Sequence, residues 1–550
     1  MKKKIWFILI IVFILAFAFR IYRLPEYFAS SDNVAFPLFL IDSFPDQSIS
    51  SLFSISEYGI NNPLRLVVYP YSILQPIYYF FILFLLSLFN IPFTEFTFFL
   101  PNIIIASLTI FPVYFTVKKL YDHTSGVLAS TIIMILPLHI MQSRYLGAPR
   151  TLAILLYFIA LYYLILFFET PKKHARQISI LLSLVITSSI MFPPFLLVVA
   201  YVFVVYNKKN LASTSKLKEY MLENIITLRF LSLPLFSILF LISIFLGAAA
   251  IGSNYGLNVT MLGHILTKQP SYGFYLMPVI GYIFSGMGLV LGIVSLLLIP
   301  LGLKDIILFK KRGILLVWAF AYIIPFLFTS PSNIRAYIID GVVPLAIYAI
   351  ITFNEILKYK KITESYILRS GLIILLIFFT MLSAISGTYN LNLWQITDIP
   401  PSEGSYLQDY GVKALGYWAR TSTPPNATFF FDETIEPPVG KYYFHRISYG
   451  LFDATSNDTF EFFLRNQDKI DYITVSIENY PLYKGDNVVI AESVSNGETY
   501  YILRRQVNNS DIVKQIIDVD ENNNLFDKRF ANLESLRKAH SYVSQHPSWI

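Results

Sequence analysis

A carboxylate, Asp32, lies shortly after the first apolar block of this chain, within Ser30-Ser31-Asp32-Asn33. Ionisable groups near membrane spans are costly to bury and mark functional positions, so this residue is the first candidate for chemistry. Its carboxylate can act as a general base or as a ligand for a hard divalent ion. The competing interpretation is an N-cap for a helix beginning near Val34, because Ser, Asp and Asn all favour that position.

Two arginines, Arg144 and Arg150, flank a Gly147-Ala148-Pro149 turn between two apolar blocks. Paired guanidinium groups at such a turn can hold a phosphate or pyrophosphate in bidentate fashion. The alternative is a pair of interface anchors, whose stems lie along apolar surface while their charged ends reach water. His139, late in the preceding block, has no clear role.

A third basic position, Arg335, lies in Ser332-Asn333-Ile334-Arg335-Ala336-Tyr337, before a block that contains Asp340. We expect Arg335 and Tyr337 to contact an anionic headgroup. The alternative is an Arg335–Asp340 pair, although a separation of five residues is awkward on one helix face. Glu57 is a candidate second carboxylate.

The elements that must position these residues are membrane spans. Hydrophobic residues make up 55% of the 550 residues and charged residues 14%, far from the composition of a soluble chain. With no cysteine, disulfides, thiolate metal sites and thiol catalysis are excluded. Apolar blocks of about twenty residues match a hydrocarbon core of about 30 Å. They lie near 5–22, 73–90, 97–117, 125–142, 151–168, 178–191, 193–206, 230–251, 274–302, 313–329, 336–353 and 370–387.

The distribution of basic residues predicts how these blocks are threaded. We take block 73–90 to lie along the interface without crossing. The loops on the cytoplasmic side then carry 21 Lys and Arg residues, and the outer loops before the tail carry 7. Eleven spans follow, with the N-terminus cytoplasmic and the C-terminus outside. All four Asn-x-Ser/Thr sequons, at Asn258, Asn426, Asn457 and Asn508, then lie outside.

The segment after the last block predicts a separate soluble domain. We expect residues 1–387 to form the membrane domain and 388–550 an extracytoplasmic α/β or α+β domain. Tyr406–Arg420 has the pattern of an amphipathic helix that ends before Pro424-Pro425. Predicted strands cover Thr428–Phe431, Tyr472–Ile477, Val488–Ile490 and Thr499–Leu503, the last two joined by a hairpin turn through Ser495-Asn496-Gly497.

The order of these features resembles the GT-C superfamily of membrane glycosyltransferases, which includes protein O-mannosyltransferases, aminoarabinose transferases and the catalytic subunit of oligosaccharyltransferase. In that family an acidic motif follows the first span, as Asp32-Asn33 does here, and juxtamembrane helices follow, as at 73–90. The further similar segments are Tyr114–Asp122, Leu136-Pro137 through Ser143-Arg144-Tyr145-Leu146-Gly147, Arg335-Ala336-Tyr337 through Pro344, and Ala414–Arg420 through Thr423-Pro424-Pro425.

The resemblance implies a GT-C-like helical membrane fold and an enzyme that uses a polyprenyl-phosphate sugar donor, such as a dolichyl phosphate. Asp32 would deprotonate an acceptor hydroxyl or hold a divalent ion, Mg²⁺ or Mn²⁺; no other cofactor is expected. Arginines would neutralise the departing lipid phosphate. The acceptor would be a glycan, a lipid or a protein.

Some family features are missing. Many members have Asp-Glu where this chain has Asp32-Asn33. The second outer loop lacks the acidic residues of oligosaccharyltransferase subunits, and the tail lacks their Trp-Trp-Asp-Tyr-Gly sequence. Transfer to Asn-x-Ser/Thr sequons is therefore not expected.

Two other classes of function compete with this one. A transporter or lipid-linked-sugar flippase with an outer accessory domain usually shows internal repeats and broken helices; no repeat is found, but Pro193-Pro194 and Pro344 fall where spans would be interrupted. A scaffold that displays the tail needs far fewer spans. No basic run interleaved with aromatics indicates nucleic-acid binding.

Overall fold

The structure, a computed structural model, describes residues 2–21, 74, 81, 85, 88–89, 95–144, 150–189, 192–211, 232–239, 276–328, 338–358, 366–389, 410–432, 435, 443–449, 459–495, 498–505 and 515–518. Up to residue 389 the described elements are helices that pack around one apolar core. They are α1 Lys2–Ile21, α2 Glu95–Leu108, α3 Ile110–Leu120, α4 His123–Ile135, α5 Pro137–Ser143, α6 Thr151–Glu169, α7 Pro171–Ser188, α8 Pro193–Leu211, α9 Leu276–Met287, α10 Leu289–Ile307, α11 Gly313–Ile323 with a 3₁₀ turn Ile324–Phe328, α12 Ile339–Leu357 and α13 Tyr366–Tyr389.

Several of these helices can cross a membrane by length and composition. Among the described residues five spans qualify, one of which is Phe99–Leu120 and runs through both α2 and α3. A sixth is added if α4 and α5, which meet at 57°, form one span. Four shorter apolar helices accompany them. The helical membrane fold is thus confirmed, whereas the total of eleven spans stays a prediction. Helix α12 lies at the centre with 78% of its apolar window buried, and α13 lies at the edge with 17%.

Proline and glycine determine where the helices begin and bend. Pro193 stands at the start of α8, where its missing N–H costs nothing, and Pro344 lies inside the continuous helix α12. The expectation that these prolines interrupt spans was therefore wrong. The predicted single block 274–302 was also wrong: it is divided into α9 and α10 at Gly288, whose φ of 83° is a left-handed conformation that glycine adopts freely.

The bundle has two chemically different ends. At one, which we call the basic end, Lys358 binds Asp122, Arg312 binds Glu355 and Lys119 binds Glu169. At the other, the arginine end, α1 finishes at Ile21 and the contacts of Arg20, Arg144 and Arg150 are found.

Helices α1 and α2 meet at the arginine end. Asn102 of α2 donates hydrogen bonds to the carbonyls of Gln142 and Ser143, and Arg144 binds the last turn of α1. Most of block 73–90 lies outside the described residues, so its place along the interface stays a prediction. The meeting of α1 and α2 at the same end of the bundle is the arrangement expected if this block does not cross the membrane.

The tail contains a mixed six-stranded sheet with short helices. Its elements are α14 Tyr410–Ser422, β1 Thr428–Phe431, β2 Ile447–Tyr449, α15 Thr459–Asn466, β3 Tyr472–Ser476, α16 Tyr480–Tyr483, β4 Asn487–Ser495, β5 Glu498–Arg505 and β6 Gln515–Asp518. The strands lie in the order β2-β1-β3-β5-β4-β6. Strand β1 is parallel to its neighbours β2 and β3, and β5 runs antiparallel to β3 and β4.

The tail therefore confirms the predicted α/β character, the helix before Pro424 and all four predicted strands. It also confirms the hairpin, since Ser495 pairs with Glu498 across the turn. Strands β2 and β6 and helix α15 were not predicted, because their apolar runs are too short to stand out in the sequence.

Candidate active site

Arg20 fills the gap that Pro137 opens between α4 and α5. Proline has no N–H, so the carbonyl four residues earlier, that of Ile133, loses its helical partner. Arg20 is fully buried and donates hydrogen bonds to the carbonyls of Ile133 at 3.2 Å and Met134 at 3.3 Å. The sharp bend of this segment thus has an identifiable cause.

The same guanidinium determines the state of His139. Its Nη2 lies 2.7 Å from His139 Nδ1, and because a guanidinium only donates, that nitrogen is the acceptor. His139 is therefore neutral, with its ring proton on Nε2. Its side chain is completely buried, so it is part of the bend.

Arg144 holds the end of α1. Its Nε donates to the carbonyl of Arg20 at 3.0 Å and its Nη2 to that of Phe19 at 2.9 Å. Carbonyls in the last turn of a helix lack intrahelical partners and carry partial negative charge, so a cation is favourable there. Only 1% of Arg144 is exposed, which does not fit an anchor whose charged end reaches water.

Arg150 forms a buried ion pair with Asp340. The guanidinium also donates to Ser189 Oγ, so one side chain joins the starts of α6 and α12 to the end of α7. Arg150 is 3% exposed and Asp340 is fully buried. The expected alternative partner of Asp340 was Arg335, five residues away; the described partner lies 190 positions away in the sequence.

Neutral side chains complete this end of the bundle. Asn102 binds the carbonyls at the end of α5 through its amide nitrogen and receives a hydrogen bond from Thr151. The two ends of the loop that contains Gly147 are thereby tied to α2. All of these side chains are buried, so their positions are held by packing as well as by hydrogen bonds.

The described residues thus bring Arg144 and Arg150 to one end, as the sequence predicts. The other candidates, Asp32, Glu57, Arg335 and Tyr337, lie outside the described residues. Three buried guanidinium groups and one buried carboxylate are found in the described part of the bundle. Among the described residues this end therefore carries more positive than negative charge.

Sequence reasoning missed several members of this cluster. Arg20 was counted as a loop cation, and the roles of Asn102, Ser189 and Asp340 were not foreseen. The available signal was Pro137 inside an apolar block, since a proline there leaves carbonyls that need a donor. No sequence signal pairs Arg150 with Asp340.

A metal ion finds no ready-made site in the part of the chain that the structure describes. No three His, Asp or Glu side chains there lie close enough to hold one. Asp32, the predicted ligand, is outside this part of the chain, and we derive no step through a metal.

The sequence was compared with models of known protein families and with curated protein sequences. A family model described as dolichyl-phosphate-mannose-protein mannosyltransferase matches residues 74–236. No curated protein sequence matches the chain.

Solved structures of similar fold cover most of the chain. ArnT from Cupriavidus metallidurans in the apo state has a TM-score of 0.54 at 11% identity, over 91% of this chain and 98% of that one. The same enzyme bound to undecaprenyl phosphate has a TM-score of 0.52 at 10% identity, over 90% and 97%. The archaeal oligosaccharyltransferase AglB from Archaeoglobus fulgidus, in complex with an inhibitory peptide and a dolichol-phosphate, has 0.51 at 14% identity, over 87% and 70%. These matches confirm the resemblance to GT-C glycosyltransferases in fold.

Proposed function

We propose that this chain, which has the GT-C fold, is a glycosyltransferase that moves a sugar from a polyprenyl-phosphate donor to an acceptor hydroxyl on a glycan, lipid or protein. The observation that carries the proposal is the cluster of buried guanidinium groups of Arg20, Arg144 and Arg150 at one end of an apolar bundle. The structural neighbours whose names include undecaprenyl phosphate and dolichol-phosphate support a donor of this type.

The reaction needs a base and a stabilised leaving group. Asp32 takes the proton of the acceptor hydroxyl, and the acceptor oxygen bonds to the anomeric carbon of the sugar. The bond between that carbon and the phosphate oxygen breaks, and its electron pair stays on the lipid phosphate. Negative charge therefore grows on the phosphate in an oxocarbenium-like transition state.

The arginine end supplies the positive charge that this step requires. Arg144 and Arg150 are held in place by α1 and by Asp340, so little reorganisation is needed as charge develops. Arg335 and Tyr337 are proposed to contact the same phosphate, and Glu57 to contact the acceptor or the sugar. A divalent ion on Asp32 is the alternative to direct base catalysis.

Charge distribution supports transfer on the outer face. The basic end carries the lysines that the positive-inside rule assigns to the cytoplasm, and the arginine end lies opposite. Helix α13 begins at the basic end, where Arg369 in its first turns donates a hydrogen bond to Asn354. The tail follows the opposite end of this helix. We propose that the tail domain is extracytoplasmic and covers the acceptor side of the site.

The test uses the full chain in proteoliposomes with dolichyl-phosphate mannose that carries a radiolabel in the sugar. Asp32→Ala is expected to abolish release of the lipid phosphate and transfer of label to added glycan, lipid or peptide acceptors. Asp122→Ala, which removes a carboxylate at the basic end, is the matched control and should keep activity. Full transfer by Asp32→Ala would end the proposal.

A flippase remains the alternative, because the bend between α4 and α5 has the form of a broken span. The carbonyls opened there are bound by Arg20, however, and are not left for a substrate. Movement of a fluorescent lipid-linked sugar across the bilayer, with its sugar–phosphate bond intact, would favour the flippase.

A further inference from the structure

The turn between α10 and α11 presents an apolar group and a basic group side by side. Ile307, Leu308 and Phe309 are 72%, 43% and 42% exposed. Three cations, Lys310, Lys311 and Arg312, follow at once. We call residues 307–312 the Phe309 turn.

The Phe309 turn has a fixed backbone conformation, because side chains of the neighbouring helix α8 bind its carbonyl groups. The Tyr201 hydroxyl of α8 lies 3.2 to 3.3 Å from the carbonyl oxygens of Asp305, Ile306 and Lys310. Lys208, also of α8, donates to the carbonyl of Leu308 at 3.3 Å. The carbonyls of Asp305 and Ile306 also accept backbone N–H groups, from Lys310 and Phe309, so the end of α10 is held by backbone and side-chain donors together.

Phe309 has an unusual backbone. Its φ is 49°, a left-handed conformation that is unfavourable for a bulky side chain and persists where its surroundings enforce it. Its ring centroid lies 5.9 Å from that of Tyr201. The strained residue is therefore held with much of its ring exposed beside the cations.

The cations are only partly neutralised within the protein. Lys310 binds Asp305 at 2.9 Å and Arg312 binds Glu355 at 2.9 Å, yet the two basic side chains stay 50% and 53% exposed. Lys311 lies 4.5 Å above the Tyr206 ring. Counting Lys208 with these three, the turn has four cations against two carboxylates.

We propose that the Phe309 turn binds the headgroup of an anionic glycerophospholipid in the leaflet at the basic end. The exposed apolar side chains lie against the acyl chains, and the cations contact the anionic phosphate of the headgroup. Apolar insertion joined to a basic patch is the combination that retains a segment at an anionic membrane surface. The inference does not depend on the sugar donor, so it stands apart from the transferase reaction.

Native mass spectrometry of the full chain, purified in detergent with equal amounts of phosphatidylglycerol and phosphatidylcholine, measures this binding. The unmodified chain is expected to retain phosphatidylglycerol preferentially. A basic residue near an anionic surface is worth about 1 kcal/mol, which is about fivefold in affinity. The double variant Lys310→Gln/Lys311→Gln should therefore lose at least about fivefold in phosphatidylglycerol occupancy.

The matched control is Lys172→Gln/Lys173→Gln, which removes two exposed lysines from the first turn of α7. It should retain phosphatidylglycerol. Equal losses in both double variants, or no lipid preference in the unmodified chain, would overturn the proposal.

A second variant separates binding from folding. Phe309→Gly relieves the left-handed strain and removes the exposed ring, so we expect lower phosphatidylglycerol occupancy without a lower melting temperature. Unchanged occupancy would contradict the role of the apolar group. Glycerol phosphate, added as a free competitor, should displace little lipid; full displacement would mean that the turn binds phosphate alone and would overturn the lipid assignment.

Discussion

Replacing Arg150 with Met removes the charged partner of Asp340, a carboxylate that is fully buried in the bundle. Removing one member of a buried ion pair leaves the other charge in a medium of low polarity, at a cost of about 3 to 5 kcal/mol. Asp340→Leu should cost a similar amount, because Arg150 then keeps only Ser189 among the two partners described above.

The double variant Arg150→Met/Asp340→Leu removes both charges together. Apolar replacement of a whole buried pair is often neutral, so we expect it to lie within about 1 kcal/mol of the unmodified chain. The coupling between the two sites then amounts to several kcal/mol, which identifies the pair itself as the source of both single losses.

The assay is thermal unfolding of the full chain in detergent at one fixed heating rate, because large proteins often unfold irreversibly. At roughly 2 °C per kcal/mol, each single variant should melt roughly 6 to 10 °C lower. Arg312→Met is the matched control: its Glu355 pair has a side chain that is 53% exposed, and an exposed pair is worth less than about 1 kcal/mol.

Two results would refute this reasoning. One is a double variant that loses as much as the two single variants together, since the residues would then act independently. The other is a pair of single variants as stable as Arg312→Met, because the ion pair would then be solvated and not buried.

Three further predictions follow from the contacts. Arg20→Met should destabilise the bundle by about 2 kcal/mol through unpaired carbonyls, and adding Pro137→Ala, which restores an N–H, should recover part of the lost melting temperature. Arg446 donates hydrogen bonds to three carbonyls at the end of α14, although burial, and then the charge of Arg420, lowers its pKa. Arg446→Met should therefore raise the rate of amide hydrogen exchange in α14. Arg465→Gln, which removes an exposed ion pair, should not. Burial alone would raise the pKa of Asp122, but hydrogen bonds from Ser125 and the Lys358 ammonium lower it. Asp122→Asn should therefore cost under about 1 kcal/mol at pH 7. The difference in melting temperature should begin to shrink near pH 4, about the ordinary pKa of an aspartate carboxyl, and should vanish only at a lower pH, where the carboxyl of the folded chain takes up its proton.

Much of the architecture could be read from local patterns. The positions of most spans follow from apolar blocks of about twenty residues, and the hairpin β4–β5 follows from alternating residues around Asn496-Gly497. These features depend on neighbours in the sequence, and the tail strands at 428–431 and 472–476 were therefore predictable to within a residue or so.

The sequence by itself also predicted that the arginines gather at one end. Charge is excluded from the apolar spans and must collect at their boundaries, and the unequal distribution of Lys and Arg between the loops predicts which boundary each arginine occupies. Only the tertiary structure decided what each arginine does. Arg20 binds carbonyls opened by Pro137, Arg144 holds the end of α1, and Arg150 pairs with Asp340 across 190 positions. Such partners are chosen by which helix ends the packing brings together, and helix packing is a property of the whole bundle that no local pattern of residues contains.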